Sequence, residues 1–172
     1  CGDRFMASQG AMGMTLEAAQ RHVEAIAGEL FELTGSTVIL SHSAGGPCGW
    51  ALAALGGEMV EAIIAIEPLG YPGQEHMLGR FDNGLVVAPF AGDANPYERP
   101  VLVVTGEATW MREANASAFE FLRAQGHGAE HIRLEERGIT GNGHMMMSET
   151  NSDKIADLLL SWLAELWVAT DN

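Results

Sequence analysis

Cysteine is almost absent from this chain: Cys1 and Cys48 are the only two in 172 residues. They have no metal-ligand spacing and are too few to define a disulfide framework, so the redox compartment stays open. Long hydrophobic runs are missing too, and nothing approaches the roughly 20 apolar residues that a membrane span requires. No basic stretch leads into an apolar one, as a secretory signal needs. The chain does not begin with methionine, so a removed targeting segment is compatible with it, and the localisation is left unassigned. Positive charge is scarce, with 9 Lys and Arg against 23 Asp and Glu and a net charge of −14. Such a field repels nucleic acid and anionic membranes, and no basic cluster offsets it. The simplest meaning of the excess is a solvated acidic surface. The histidines form no His-Glu-x-x-His or similar cluster, and no glycine-rich turn carries the lysine of a phosphate-binding loop. Neither a metal nor a cofactor is expected.

What is present is an ordinary globular composition, 47% hydrophobic and 19% charged, long enough for one core. We expect a single domain over 1–172, with residues 1–14 as an irregular lead-in. Residues 15–33 place Leu16, Ala19, Val23, Ile26, Ala27 and Leu30 at helical spacing, with Thr15 available as a cap. Residues 37–40 read as a buried strand and 50–55 as a helix stopped by Gly56-Gly57. Residues 60–66 read as a second strand, 101–104 as a third and 130–134 as a fourth. A helix is expected over 114–125, and an amphipathic one over 152–167 with Ile155, Leu158, Leu159, Trp162, Leu163 and Leu166 inward. Residues 68–100 are loop-like, with an apolar patch at 85–87, and exceed an ordinary connection; we expect an insertion near the mouth of a site. Strands alternate with helices and are continuously apolar. The fold class is therefore α/β, with a mostly parallel sheet and helices on both faces.

Ser41-His42-Ser43-Ala44-Gly45-Gly46 lies between the first strand and the next helix. A β-branched run, a tight turn of small residues and a helix make a nucleophile elbow, the corner that lifts a reactive serine clear of its sheet. Crowding at such a turn demands small flanking residues, here Ser41 and Gly45. Ser43 needs a base to take its hydroxyl proton, and a carboxylate to fix that base's tautomer. The base is expected to be His144, in the turn Gly141-Asn142-Gly143-His144 after the last strand. His42 is expected to point away from Ser43 and to pack or hydrogen-bond in the sheet. His127 and His131 look like surface positions, His22 belongs to the outer side of its helix, and His76 lies in the insertion. Two acids compete. Glu67 follows the second strand and Glu107 the third, and the order Ser, acid, His holds for either.

The segments Leu40-Ser41-His42-Ser43, Ile66-Glu67-Pro68 and Gly141-Asn142-Gly143-His144-Met145-Met146-Met147 resemble the signatures of microbial serine carboxylesterases of the α/β-hydrolase fold. The resemblance runs from about Thr15 onward. It implies the C-terminal part of that fold, a Ser-His-Glu triad with the acid at Glu67, and an ester or lactone as small-molecule substrate. One oxyanion donor is expected to be the N–H of Ala44. Met145 to Met147 read as an apolar wall of an acyl pocket or as core packing. A non-hydrolytic relative, whether a lyase, cyclase, isomerase or binding protein, is the competing reading, because fold alone does not exclude it. The relatives carry a further N-terminal half of the sheet, which supplies the second oxyanion donor. An N-terminal polypeptide of the same precursor is thus expected as partner, with Cys1 as a processing site; a homo-oligomer is compatible with all of this.

Overall fold

The computed structural model describes residues 14–76, 79–82, 84–125 and 128–170. Cys1, most of the lead-in and His127 lie outside the described residues. The elements in chain order are α1 (Leu16–Thr34), β1 (Thr37–His42), α2 (Gly46–Gly56), β2 (Val60–Ile66), β3 (Glu75–His76), β4 (Gly79–Arg80), β5 (Val101–Thr105), α3 (Arg112–Ala124), β6 (Ala129–Arg133) and α4 (Ser152–Thr170). Thr15 caps α1 through its hydroxyl oxygen, which accepts from the Ala18 N–H at 3.1 Å.

β1, β2, β5 and β6 form one parallel sheet in the order β1-β2-β5-β6, while β3 and β4 make a small antiparallel hairpin. Alternate residues of each central strand feed two different cores. Ile63, Ala65, Val101 and Val103 pack with Ala27, Phe31, Trp50, Ala53, Ala118 and Leu122 from α1, α2 and α3. Ala62, Ile64, Ile66, Leu102 and Val104 pack with Ile155, Leu159, Trp162 and Leu163 of α4. Both faces are apolar because both are covered, which explains the unbroken hydrophobic runs.

Three expectations need correction. The first strand is the edge of the sheet and not a buried strand: it pairs only with β2 among the described residues, and Leu40 on the α4 face is 58% exposed. In α1 the buried stripe is Leu16, Gln20, Ala27 and Phe31, whereas Ile26 and Leu30 are exposed. A polar residue turns the helix. The Gln20 amide donates to the Ala88 carbonyl at 3.1 Å and accepts from its N–H at 3.3 Å, pinning the 68–100 segment to the helix. Third, His131 is not a surface residue. It is half-buried against Phe119, with Nε2 2.9 Å from the Thr105 hydroxyl, and burial lowers its basicity.

The segment 68–100 carries the β3–β4 hairpin and buries Leu69, Phe81, Leu85, Val86 and Tyr97. Leu69 and Phe81 share a cluster with Leu16 and Met111, against which Ala44 of the elbow packs.

Candidate active site

Register assembles the site. Ser41 pairs with Ala65 and His42 with Ile66; Ile66 pairs with Val104. Ser43, Glu67 and Thr105-Gly106 therefore emerge side by side from the C-terminal ends of three adjacent strands, where parallel sheets gather their functional groups.

Ser43 opens a 3-10 turn, Ser43–Gly45, that runs directly into α2. Its φ is 52°, and the other non-glycine residue with positive φ among the described residues is Glu67, at 43°. Left-handed backbone is uncommon outside glycine and costs on the order of 1–3 kcal/mol. Both strained residues belong to one hydrogen-bonded chain. The Leu69 N–H donates to the Ser43 carbonyl at 2.9 Å, tying the elbow to the turn after Glu67. The crowding expected at Gly45 falls elsewhere. A Cβ at Gly45 would have nothing within 4 Å, whereas one at Gly49 would lie 3.1 Å from both Cβ and Oγ of Ser41. The close approach is between β1 and the body of α2.

Glu67 is fully buried. Its Oε1 accepts from the Gly106 N–H at 2.8 Å, and its Oε2 accepts from the Thr109 hydroxyl at 2.7 Å. A carboxylate can only accept, so the Thr109 hydrogen points to Glu67, while the Thr109 oxygen accepts from the Met111 N–H at 3.1 Å. The third donor to this carboxylate is His144, whose Nδ1 lies 2.6 Å from Oε2. With Nδ1 protonated, the neutral imidazole presents a lone pair at Nε2, and that atom is 2.8 Å from Ser43 Oγ. The arrangement is a continuous path from a buried carboxylate through an imidazole to a hydroxyl.

The His144 segment is held from several sides. Asn142 is buried; its carbonyl accepts from the Ala108 N–H at 2.8 Å, and its amide donates to Glu149 and to Asn151. The Gly143 N–H donates to Glu149 Oε1 at 2.9 Å. Glu107 is exposed and accepts from the Gly141 N–H at 2.8 Å, so it steadies the same turn without meeting His144. Of the two acids weighed from the sequence, Glu67 is the one at the imidazole. His42 lies beside it, with ring centroids 4.7 Å apart, and Trp110, 67% exposed, has its ring centroid 5.3 Å from that of His144. Met146 is buried in the α4 core, and all three methionines, Met145, Met146 and Met147, line a groove of about 760 Å³ with Leu40, His42, Ile66 and Leu159. His22 is exposed on α1, and His76 is in β3.

Thr109, Trp110, Glu149 and Asn151 escaped sequence reasoning. A lone loop threonine or an acid five residues past a histidine carries no spacing signal. Gly106, within Thr105-Gly106-Glu107, is the partial exception.

No family model matches the chain. It is 27% identical to a probable secreted lipase of Fungal sp. (strain ATCC 74256), over 78% of this chain and 47% of that protein. Among solved structures it is similar to a novel bacterial esterase at 30% identity and a TM-score of 0.59, covering 83% of this chain and 42% of the esterase. A fungal esterase from Rhizomucor miehei superimposes with a TM-score of 0.60 at 17% identity, covering 88% of this chain and 58% of the other. The chain thus spans between 42% and 58% of the length of these three relatives. Its parallel sheet, strand-to-helix elbow and flanking helices are those of the C-terminal part of an α/β-hydrolase fold.

Proposed function

We propose that this protein is a serine hydrolase that cleaves a carboxylic ester or lactone through an acyl-enzyme. The observation that carries the reading is the Ser43–His144–Glu67 chain, with both hydrogen bonds short and the carboxylate wholly buried. The names of its relatives, a lipase and esterases, support the same substrate class.

In the first half-reaction His144 Nε2 takes the Ser43 proton as Oγ bonds to the ester carbonyl carbon. The imidazolium so formed is stabilised by Glu67 and returns the proton to the departing alcohol oxygen as the C–O bond breaks. Water then repeats the sequence on the acyl-serine and releases the acid. The Ala44 N–H, following the nucleophile at the start of the elbow helix, donates to the oxyanion. The 68–100 segment reaches the elbow through Leu69 and Phe81 and bounds the site mouth. A further polypeptide, the N-terminal part of the same precursor, pairs with the open edge of β1 and brings the second oxyanion donor. Support for that partner is the outer edge of β1, which carries no strand among the described residues and would be a hazard if left bare.

Turnover of a short ester in 18O-labelled water tests the reaction class: one labelled oxygen should enter the product acid. Product free of label would replace hydrolysis by an intramolecular or lyase reaction in the same pocket.

Gly106 gives a sharper structural test. A Cβ there would lie 2.5 Å from the Asn142 carbonyl oxygen, and that backbone leads to His144. Gly106→Ala should therefore shift the base and lower kcat by about 100-fold, the scale expected for a displacement near 1 Å. Gly45→Ala, with open space at its Cβ, should leave kcat within about threefold by the same reasoning. Equal activity in the two variants would contradict the geometry.

A further inference from the structure

One contact near His144 takes no part in the proton transfers. β1 alternates its side chains, so His42 lies on the same face as Leu40 and opposite Ser41. From there its Nε2 reaches the main-chain carbonyl oxygen of His144 at 2.8 Å. A carbonyl can only accept, so the hydrogen of this bond belongs to His42 Nε2. The contact closes a ring: the peptide link from His42 to Ser43, the bond from Ser43 Oγ to His144 Nε2, and the bond from the His144 carbonyl back to His42.

Resting on the Ser43–His144–Glu67 reading above, we propose that His42 is a positioning residue whose Nε2–H fixes the backbone of His144 so that the imidazole stays in line with Ser43. Apart from the two bonds of the His144 ring, the other restraints on this segment act on neighbouring residues, through Gly141, Asn142 and Gly143. The bond from His42 reaches the base's own peptide, and it comes from the strand that carries the nucleophile. Drift of the carbonyl is drift of the ring. Burial lowers the basicity of His42, opposed by its bond to the His144 carbonyl and by the nearby Glu67. The lowered basicity disfavours a second positive charge 4.7 Å from a ring that must itself become an imidazolium. Asp153 lines the same groove, and Glu149 lies on the Gly143 N–H beside His144.

Two substitutions separate the hydrogen bond from simple packing. His42→Phe keeps a ring against His144 and loses the donor, whereas His42→Gln loses the ring and keeps an amide donor at about the same reach. With the active protein and a short-chain ester, His42→Phe should lower kcat by about 10- to 100-fold. Its KM should stay within about twofold, as expected when only transition-state geometry is lost. His42→Gln should recover kcat to within about fivefold of the parent. Labelling of Ser43 by a fluorophosphonate should slow in the same order. A Phe variant as active as the parent, or a Gln variant as impaired as Phe, overturns the proposal. Should the Phe variant not fold, the 15N chemical shifts of the parent's His42 ring decide: Nε2–H supports the role and the Nδ1–H tautomer overturns it. Failure of the parent to label at Ser43 overturns the triad itself, an outcome distinct from any ranking of the His42 variants.

Discussion

Replacing Ser43 by alanine is expected to lower ester hydrolysis by about four to six powers of ten, with the fold intact. The loss is large because the hydroxyl is both the atom that forms the acyl bond and the group to which His144 Nε2 is matched at 2.8 Å. Without it, the imidazole and the buried carboxylate have nothing to activate, so the whole unit is lost at once. Alanine inherits the same left-handed backbone, φ 52° at residue 43, and thus the same strain. The melting temperature should move by no more than a few degrees, which makes the variant a clean comparison. Hydrolysis at the parental rate would remove Ser43 from the chemistry.

Glu67→Gln should cost up to about four powers of ten in kcat, while Glu107→Gln should cost a fewfold at most. Three donors converge on the Glu67 carboxylate: the Gly106 N–H, the Thr109 hydroxyl and His144 Nδ1–H. A carboxylate accepts from all three. A glutamine side chain replaces one acceptor oxygen by an NH2 group, so one donor must meet another donor. The cheapest escape is for His144 to move its proton to Nε2, the tautomer that cannot take the proton of Ser43. At Glu107 the only side-chain partner described is the Gly141 N–H, which the amide oxygen of glutamine can still accept. Measured kcat values for the two variants, with melting curves to verify folding, decide the matter. The reverse ranking would return Glu107 to the role of acid.

Much of this arrangement was legible in the chain, and the reasons are local. The elbow announces itself because few other structures need a β-branched run, small residues and a helix in immediate succession. The strands β2 and β5 are readable because both of their faces are buried, which leaves no polar alternation to confuse them. Other features depend on partners far apart in sequence. The edge position of β1 follows from which strands pair, and nothing in residues 37–40 distinguishes an edge from a centre. The buried face of α1 is set by Gln20 meeting Ala88, 68 residues away. For the same reason strand position alone does not separate Glu67 from Glu107, and the choice of Glu67 rests on the family resemblance. Both follow strands, and only the register and the positive φ at Glu67 aim its carboxylate at His144. His131 read as a surface residue because its hydrogen-bond partner, Thr105, is 26 residues earlier on the neighbouring strand.

The account stands or falls on Ser43 as a nucleophile activated by His144. Incubation of the active protein with a fluorophosphonate, followed by intact-mass measurement and peptide mapping, tests this most directly. One adduct per chain, located on Ser43, formed rapidly by the parent and at least about a hundredfold more slowly by His144→Ala, is the result predicted. No adduct, or an adduct on another residue with Ser43 unmodified, would contradict it.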